Sequence, residues 1–199
     1  MKSIIILCGG YSKRMGQDKG LMLFNNKPLI INVLENVLKL ADEVTLVLRD
    51  SNQREQYEDK LRNHHFLDKI KICTDELEGR GPLMGISAGL KCISTDEALV
   101  IPCDSPFIHQ SFIESIFNYY NLIYDAVVPE WQDGKLEPLH AIYNKRIVKK
   151  IDELLEGDIR DVQSLLMELD VRYIPVYTLD PSEETFLNLN YPKDVDGCN

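Results

Sequence analysis

No stretch of the sequence approaches the roughly 20 consecutive apolar residues that a membrane-spanning helix needs. Its five cysteines are irregularly spaced and include no Cys-x-x-Cys pair, so neither a disulfide framework nor a zinc site is indicated. Basic residues are also outnumbered: 22 Lys and Arg stand against 32 Asp and Glu, a formal net charge of −10 at pH 7. Such a surface repels a polyphosphate backbone. We therefore expect a protein of the reducing cytoplasm that binds neither membranes nor nucleic acid.

The chain is long enough to bury one sizeable core. It has 199 residues, of which 44% are hydrophobic, and this length is close to the usual size of one domain. The sequence shows no internal repeat, low-complexity tract or linker-like change of composition. Residues 1–199 are therefore predicted to form a single domain.

The apolar pattern predicts strands that alternate with helices. Apolar runs typical of buried strands occupy residues 3–8, 43–48, 69–73, 98–103, 125–129 and 171–176. Helices are predicted from residue 28 onward and at 52–63, 83–93, 107–122, 146–155 and 162–169. This order predicts an α/β fold, a mostly parallel, Rossmann-like sheet with flanking helices.

A basic loop that contains glycines follows the first predicted strand. In open α/β sheets, ligands bind at the carboxyl ends of the strands. Gly9 and Gly10 allow close approach of backbone N–H groups to an anion, while Arg14 and Lys19 supply positive charge. The loop has neither the Gly-Lys-Ser/Thr of a Walker A motif nor a Gly-x-Gly-x-x-Gly pattern. The prediction is a nucleoside triphosphate site, and the alternative is a flexible loop with incidental cations.

An acidic residue, Asp104, directly follows the fourth long apolar run, at the same predicted edge of the sheet. A hard cation that bridges phosphates needs oxygen ligands, and magnesium typically keeps only one or two protein carboxylates. Asp104 is therefore the best candidate for a magnesium ligand. The alternative is that Asp104 caps the following helix, where Pro106 would suit a first turn.

Two further features leave alternatives open. Gly85 and Gly89 fall inside a predicted helix, where glycine costs stability, so that helix is expected to pack closely against a nucleobase, the first loop or the sheet. His140 either lines the side of a second substrate or packs in the interior, and no chemistry is assigned to it.

Five segments, in order along nearly the whole chain, resemble the molybdenum cofactor guanylyltransferases. They are LCGGYSKRMGQDKGLMLFNNKPLI, GRGPLMGISAGL, CDSPFI, EPLHAIYNK and NLNYPKDV. The resemblance implies one nucleotidyltransferase domain over residues 1–199. It also implies transfer of GMP from GTP to molybdopterin with magnesium and release of pyrophosphate, and transient contact with proteins that insert the finished cofactor.

The same resemblance implies roles for individual residues. Catalysis falls to Arg14 and Lys19 at the phosphates and to Asp104, which would contact both GTP and magnesium. The residues implied to bind GTP are Leu7, Cys8, Gly9, Gly10, Lys19, Asp75 and Asp104.

Two positions depart from the family pattern. Cys8 stands where the family usually has Ala, and after the second predicted strand the usual Asn, a base contact, is replaced by Arg49 with Asn52 displaced. Two alternatives stay open. A cytidylyltransferase of the same cofactor would usually carry Ala-Gly rather than Gly9-Gly10, and a non-catalytic nucleotide-binding protein would lose the metal carboxylate, which this chain retains.

Overall fold

The structure is a computed structural model that describes residues 1–9, 18–62, 64, 66–74 and 81–188. Its strands and helices follow the alternation that the sequence predicts. In chain order the elements are β1 (Ser3–Leu7), β2 (Leu23–Phe24), β3 (Lys27–Pro28), α1 (Leu29–Val37), β4 (Glu43–Leu48), α2 (Ser51–Arg62), β5 (Lys71–Thr74), α3 (Pro82–Cys92), β6 (Glu97–Pro102), α4 (Gln110–Tyr119), β7 (Ala126–Glu130), β8 (Ala141–Asn144), α5 (Val148–Glu156), α6 (Val162–Leu166), β9 (Val171–Pro175) and α7 (Val176–Leu179).

A central sheet in the order β5-β4-β1-β6-β8-β7-β9 organises the described part of the chain. The pairs β1–β4, β1–β6, β4–β5 and β7–β9 are parallel, whereas β8 is antiparallel to both β6 and β7. Six of these seven strands therefore run in one direction, which confirms the mostly parallel α/β fold. β2 and β3 form a separate short hairpin just before α1.

Helices cover both faces of the sheet because successive side chains of a strand point to opposite sides. Ile4 and Ile6 of β1 join one core with apolar side chains of α1, α2, α4 and α7. Ile5 joins the other core with side chains of α3, α5 and α6. This burial on both faces explains why β1 is a continuous apolar run rather than an alternating one.

The two glycines inside α3 allow that helix to lie directly on the sheet. A Cβ at Gly89 would come within 2.5 Å of Ile5 Cγ2, and one at Gly85 within 3.2 Å of Leu7 Cδ2. Each contact is with a side chain of β1. The structure therefore supports packing on the sheet for both glycines.

Several predicted boundaries were too generous. The helix predicted at 107–122 is restricted to Gln110–Tyr119, since residues 104–109 form turns and extended backbone that lead away from β6. The helix predicted at 162–169 ends at Leu166, where a turn connects it to β9. Among the described residues, no helix is both long enough and apolar enough to cross a membrane.

At the amino-terminal edge of the sheet, the buried carboxylate of Glu43 connects three elements. It accepts hydrogen bonds from Ser3 Oγ (2.8 Å) and from the backbone N–H of Ser94 (3.0 Å), and it pairs with Lys71. Burial alone would raise the pKa of Glu43, but these hydrogen bonds lower it from 4.5 to about 2. The ionised form of Glu43 is therefore the form that stabilises the fold.

We predict that Glu43→Gln lowers the free energy of unfolding at pH 7 by up to about 3 kcal/mol, the equivalent of its pKa shift. Because the pKa is lower in the folded state, this contribution is complete above pH 4.5 and disappears as the pH falls toward 2. Urea denaturation at pH 7 and pH 3 measures it, with exposed Glu55→Gln as the control. A difference from the wild type that is the same at both pH values would contradict this assignment.

Candidate functional site

The candidate site lies where β1 and β6 end side by side. After β1 the chain continues to β4 and β5 on one side of it, then returns to β6 on the other side, so this edge is a topological switch point. Cys103 N–H donates to Leu7 O (3.1 Å), and Cys8 N–H donates to Val47 O (2.9 Å). The backbone hydrogen bonding between neighbouring strands thus continues one residue past the end of β1 and of β6, and it fixes the backbone at Cys8 and Cys103. Ligands of open α/β sheets bind at such a point.

An ion pair between Lys19 and Asp104 spans this edge. Lys19 Nζ lies 2.9 Å from Asp104 Oδ2, and the Asp104 side chain is 11% exposed against 29% for Lys19. Asp104 is the second residue after β6, whereas Lys19 opens a short 3-10 helix, Lys19–Leu21. The pair thus brings a cation and a carboxylate, 85 residues apart in sequence, to one partly buried point at this edge.

Asp18 fixes the chain immediately before Lys19. One of its carboxylate oxygens accepts hydrogen bonds from Tyr57 Oη (2.6 Å) and from the backbone N–H of Gly20 (3.1 Å), and the other accepts from Gln53 Nε2. Gln53 Nε2 also donates to Cys8 O (2.8 Å). Two side chains of α2 therefore hold the end of β1 and the Lys19 turn together.

Gly20 lies against this network with no room for a side chain. A Cβ there would be 2.1 Å from Tyr57 Oη and 3.3 Å from Cys103 Sγ. The absence of a side chain at Gly20 lets the Lys19 turn approach α2 and β6 at the same time.

The thiol of Cys8 at this edge is buried and protonated. Burial, with added effects of the neighbouring Cys103, raises the pKa of Cys8 well above its ordinary value. Because the thiolate is the nucleophilic form, Cys8 is unsuited to thiol catalysis. Its Sγ is turned inward, 3.8 Å from Ile6 O.

Arg49, rather than Asn52, takes the place next to the end of β1. A Cβ added at Gly9 would lie 3.6 Å from the backbone nitrogen of Arg49, in ordinary van der Waals contact, and the Arg49 N–H donates to Gln53 Oε1 (2.6 Å). Arg49 Nε pairs with Asp50 (2.8 Å). Asn52 lies exposed on α2.

The structure brings five of the predicted site residues to this edge of the sheet: Leu7, Cys8, Gly9, Lys19 and Asp104. Gly10, Arg14 and Asp75 lie outside the described residues, so their predicted roles stay predictions. Asp104 does not cap the next helix, because α4 begins at Gln110 and its N-cap position is His109.

Sequence reasoning missed the part that α2 plays. Gln53, Tyr57 and Leu61 are buried at a spacing of four residues on a helix that otherwise looks like a polar surface helix. That spacing was the available signal, but the polar Gln53 concealed it.

A buried histidine lies behind Asp104. His140 is 1% exposed, and its Nε2 is 3.0 Å from the hydroxyl of Ser105, the residue after Asp104. Burial lowers the pKa of His140 to about 4, against the opposing effects of Glu137 and Asp104. At pH 7 the imidazole is therefore neutral.

The sheet order and the paired cation and carboxylate at the switch point are typical of α/β domains that bind a ligand at this edge. Comparisons with known proteins narrow this class. The family model described as a MobA-like NTP transferase domain matches residues 4–172. The chain belongs to this family, and it is a nucleotidyltransferase.

Relatives of known name cover almost the whole chain. A protein of Methanothermobacter thermautotrophicus named "probable molybdenum cofactor guanylyltransferase" is 37% identical over 98% of this chain and 98% of its own length. One of the same name from Methanosarcina mazei is 34% identical over 98% of this chain and 88% of its own. The crystal structure of molybdopterin-guanine dinucleotide biosynthesis protein A from Archaeoglobus fulgidus is similar with a TM-score of 0.82, at 25% identity over 98% of this chain and 95% of that one.

We predict that Tyr57→Phe lowers the free energy of unfolding by about 1.5–3 kcal/mol, because it removes a donor from the charged Asp18 and leaves the packing of the ring unchanged. Urea denaturation measures this loss. The control is Tyr177→Phe, at an exposed position, which should cost almost nothing. Equal stability of the two variants would mean that the Tyr57 hydroxyl does not hold the Lys19 turn.

Proposed function

We propose that this protein transfers GMP from GTP to molybdopterin, forming the guanine dinucleotide form of the molybdenum cofactor and releasing pyrophosphate. The observation that carries the proposal is the pairing of Lys19 with Asp104 at the switch point of the sheet. The names of its relatives support guanine as the base and molybdopterin as the acceptor.

Asp104 suits a magnesium site. Its carboxylate is a hard oxygen donor at the carboxyl edge of the sheet, and magnesium commonly binds through one or two carboxylates together with phosphates of the substrate. When bound, magnesium would neutralise negative charge on the triphosphate and on the departing pyrophosphate.

Lys19 would exchange partners when the nucleotide binds. Without ligand its ammonium group neutralises Asp104, and with GTP it can donate to a phosphate oxygen instead, which frees the carboxylate for the cation. On an acidic protein, this exchange places positive charge next to the phosphates at the carboxyl edge of the sheet. We extend the same role to Arg14, as the resemblance implies.

The acceptor needs little activation by the protein. Its attacking group is a phosphate oxygen that is already anionic, so in-line attack on the α-phosphorus requires positioning and charge neutralisation rather than a strong general base. The neutral His140 and the protonated Cys8 are consistent with this.

The remaining parts of the proposal rest on the resemblance. Gly10 and Asp75 are proposed to complete the GTP site with Leu7, Cys8 and Gly9. Residues 1–199 are proposed to act as one cytoplasmic nucleotidyltransferase domain that passes its product to cofactor-insertion proteins.

We expect pyrophosphate release in the presence of magnesium and molybdopterin to be faster with GTP than with CTP or ATP. Calorimetric titration should give the same order of affinities. CTP that binds or turns over as well as GTP would favour a cytidylyltransferase of the same cofactor. Nucleotide binding without any pyrophosphate release would favour a non-catalytic protein.

Asp104→Asn should reduce guanylyl transfer at least about tenfold, because the amide keeps the size of the side chain but loses the charge that attracts the cation. Higher magnesium should restore part of the activity, and the melting temperature should change little. Asp152→Asn is the matched control, since Asp152 also pairs with a lysine at 2.9 Å (Lys91) but lies between α3 and α5. Normal turnover of Asp104→Asn at ordinary magnesium would place the metal elsewhere.

A further inference from the structure

A three-residue hydrogen-bond bridge lies directly behind Asp104. The hydroxyl of Ser105 is 2.6 Å from Asn188 Oδ1 and 3.0 Å from His140 Nε2. Ser105 is fully buried, and the three residues come from the loop after β6, the position just before β8 and the segment after α7. We call this group the Ser105 bridge.

The number of hydrogens fixes the direction of each bond. A serine hydroxyl donates one hydrogen bond, and Ser105 donates it to the carbonyl oxygen of Asn188. His140 Nε2 must then carry the proton and donate to Ser105 Oγ. This tautomer leaves Nδ1 as an acceptor, and among the residues that the structure describes Nδ1 has no hydrogen-bond partner.

Packing holds the imidazole in this orientation. The rings of Phe186 and Phe112 contact it edge to face, at centroid distances of 5.2 and 6.4 Å. Glu137 Oε2 is 3.9 Å from Nδ1, while the other oxygen of Glu137 accepts from Trp131 Nε1 (2.8 Å) and Lys135 Nζ (2.7 Å). The imidazole is therefore held in place by packing in addition to its hydrogen bond with Ser105.

We propose that His140 and Ser105 are positioning residues for Asp104. They hold the backbone at Ser105 in place, and so set the adjacent carboxylate against Lys19, by joining it to β8 and to the segment at Asn188. The expected effect on kinetics rests on the proposed function, whereas the geometry of the Ser105 bridge is independent of it.

Ser105→Ala removes both bonds of the bridge. We expect kcat to fall between about 10- and 100-fold while the KM for GTP changes less than threefold, because a small misplacement of a reacting group costs turnover more than binding. The magnesium concentration needed for half-maximal rate should rise. His140→Gln keeps an N–H donor at similar reach and should retain most of the activity, whereas His140→Leu should behave like Ser105→Ala.

Ser3→Ala is the matched control. Ser3 is also fully buried, donates one hydrogen bond to Glu43 (2.8 Å) and accepts one from Thr95 Oγ1 (2.7 Å), but it lies at the opposite edge of the sheet. Both variants should lose similar thermal stability, and Ser105→Ala alone should lose kcat. Equal kinetics of the two variants, in an assay where the wild type is active, would overturn the positioning role and leave the proposed function intact.

A second measurement is independent of activity. Nitrogen-15 NMR of labelled histidine at pH 7 should show His140 as the neutral tautomer with its proton on Nε2, and this signal should shift in Ser105→Ala. A proton on Nδ1, or a signal that Ser105→Ala does not move, would overturn the bridge. A wild type without transferase activity would instead count against the proposed function.

Discussion

The ion pair between Lys19 and Asp104 is the interaction on which the site depends. A chain with a net charge of −10 can hold a triphosphate only where positive charge is concentrated locally. At the switch point of the sheet, Lys19 provides that charge while its partner Asp104 provides the oxygen donor that a hard cation prefers. Each charge compensates the other, so neither is left unpaired at this partly buried point.

Each half of this pair is held by its own set of buried polar contacts. On the lysine side, Gln53 and Tyr57 of α2 bind Asp18, and the bare backbone of Gly20 lets the turn approach them. On the carboxylate side, Ser105 is tied to His140 and Asn188. Hydrogen bonds among such groups restrict each half of the pair to one geometry. The packed sheet places the two residues at the same edge, and these polar contacts fix the positions of their side chains.

The parts of this arrangement that could be predicted from the sequence are local in the chain. The continuous apolar run at Ile4, Ile5 and Ile6 indicates a strand that is covered on both faces, and the structure buries all three. A carboxylate just after another such run indicates the carboxyl edge of the same sheet. The parts that could not be predicted depend on contacts between distant residues: Ser105 meets partners 35 and 83 residues away, and Gln53 meets Cys8 across 45 residues. No local pattern encodes those contacts. The predicted start of α4 is also too early for a related reason. Between β6 and α4 the chain forms turns, and Ser105 in this segment contacts the distant residues His140 and Asn188.

The most direct test of the account is a crystal structure of the protein with magnesium and a GTP analogue whose α–β bridging oxygen is replaced by NH. The account predicts that Lys19 Nζ moves out of hydrogen-bond distance of Asp104 and contacts a phosphate oxygen, while Asp104 coordinates the cation. A structure in which the triphosphate is bound elsewhere and the pair keeps its 2.9 Å separation would contradict the central claim.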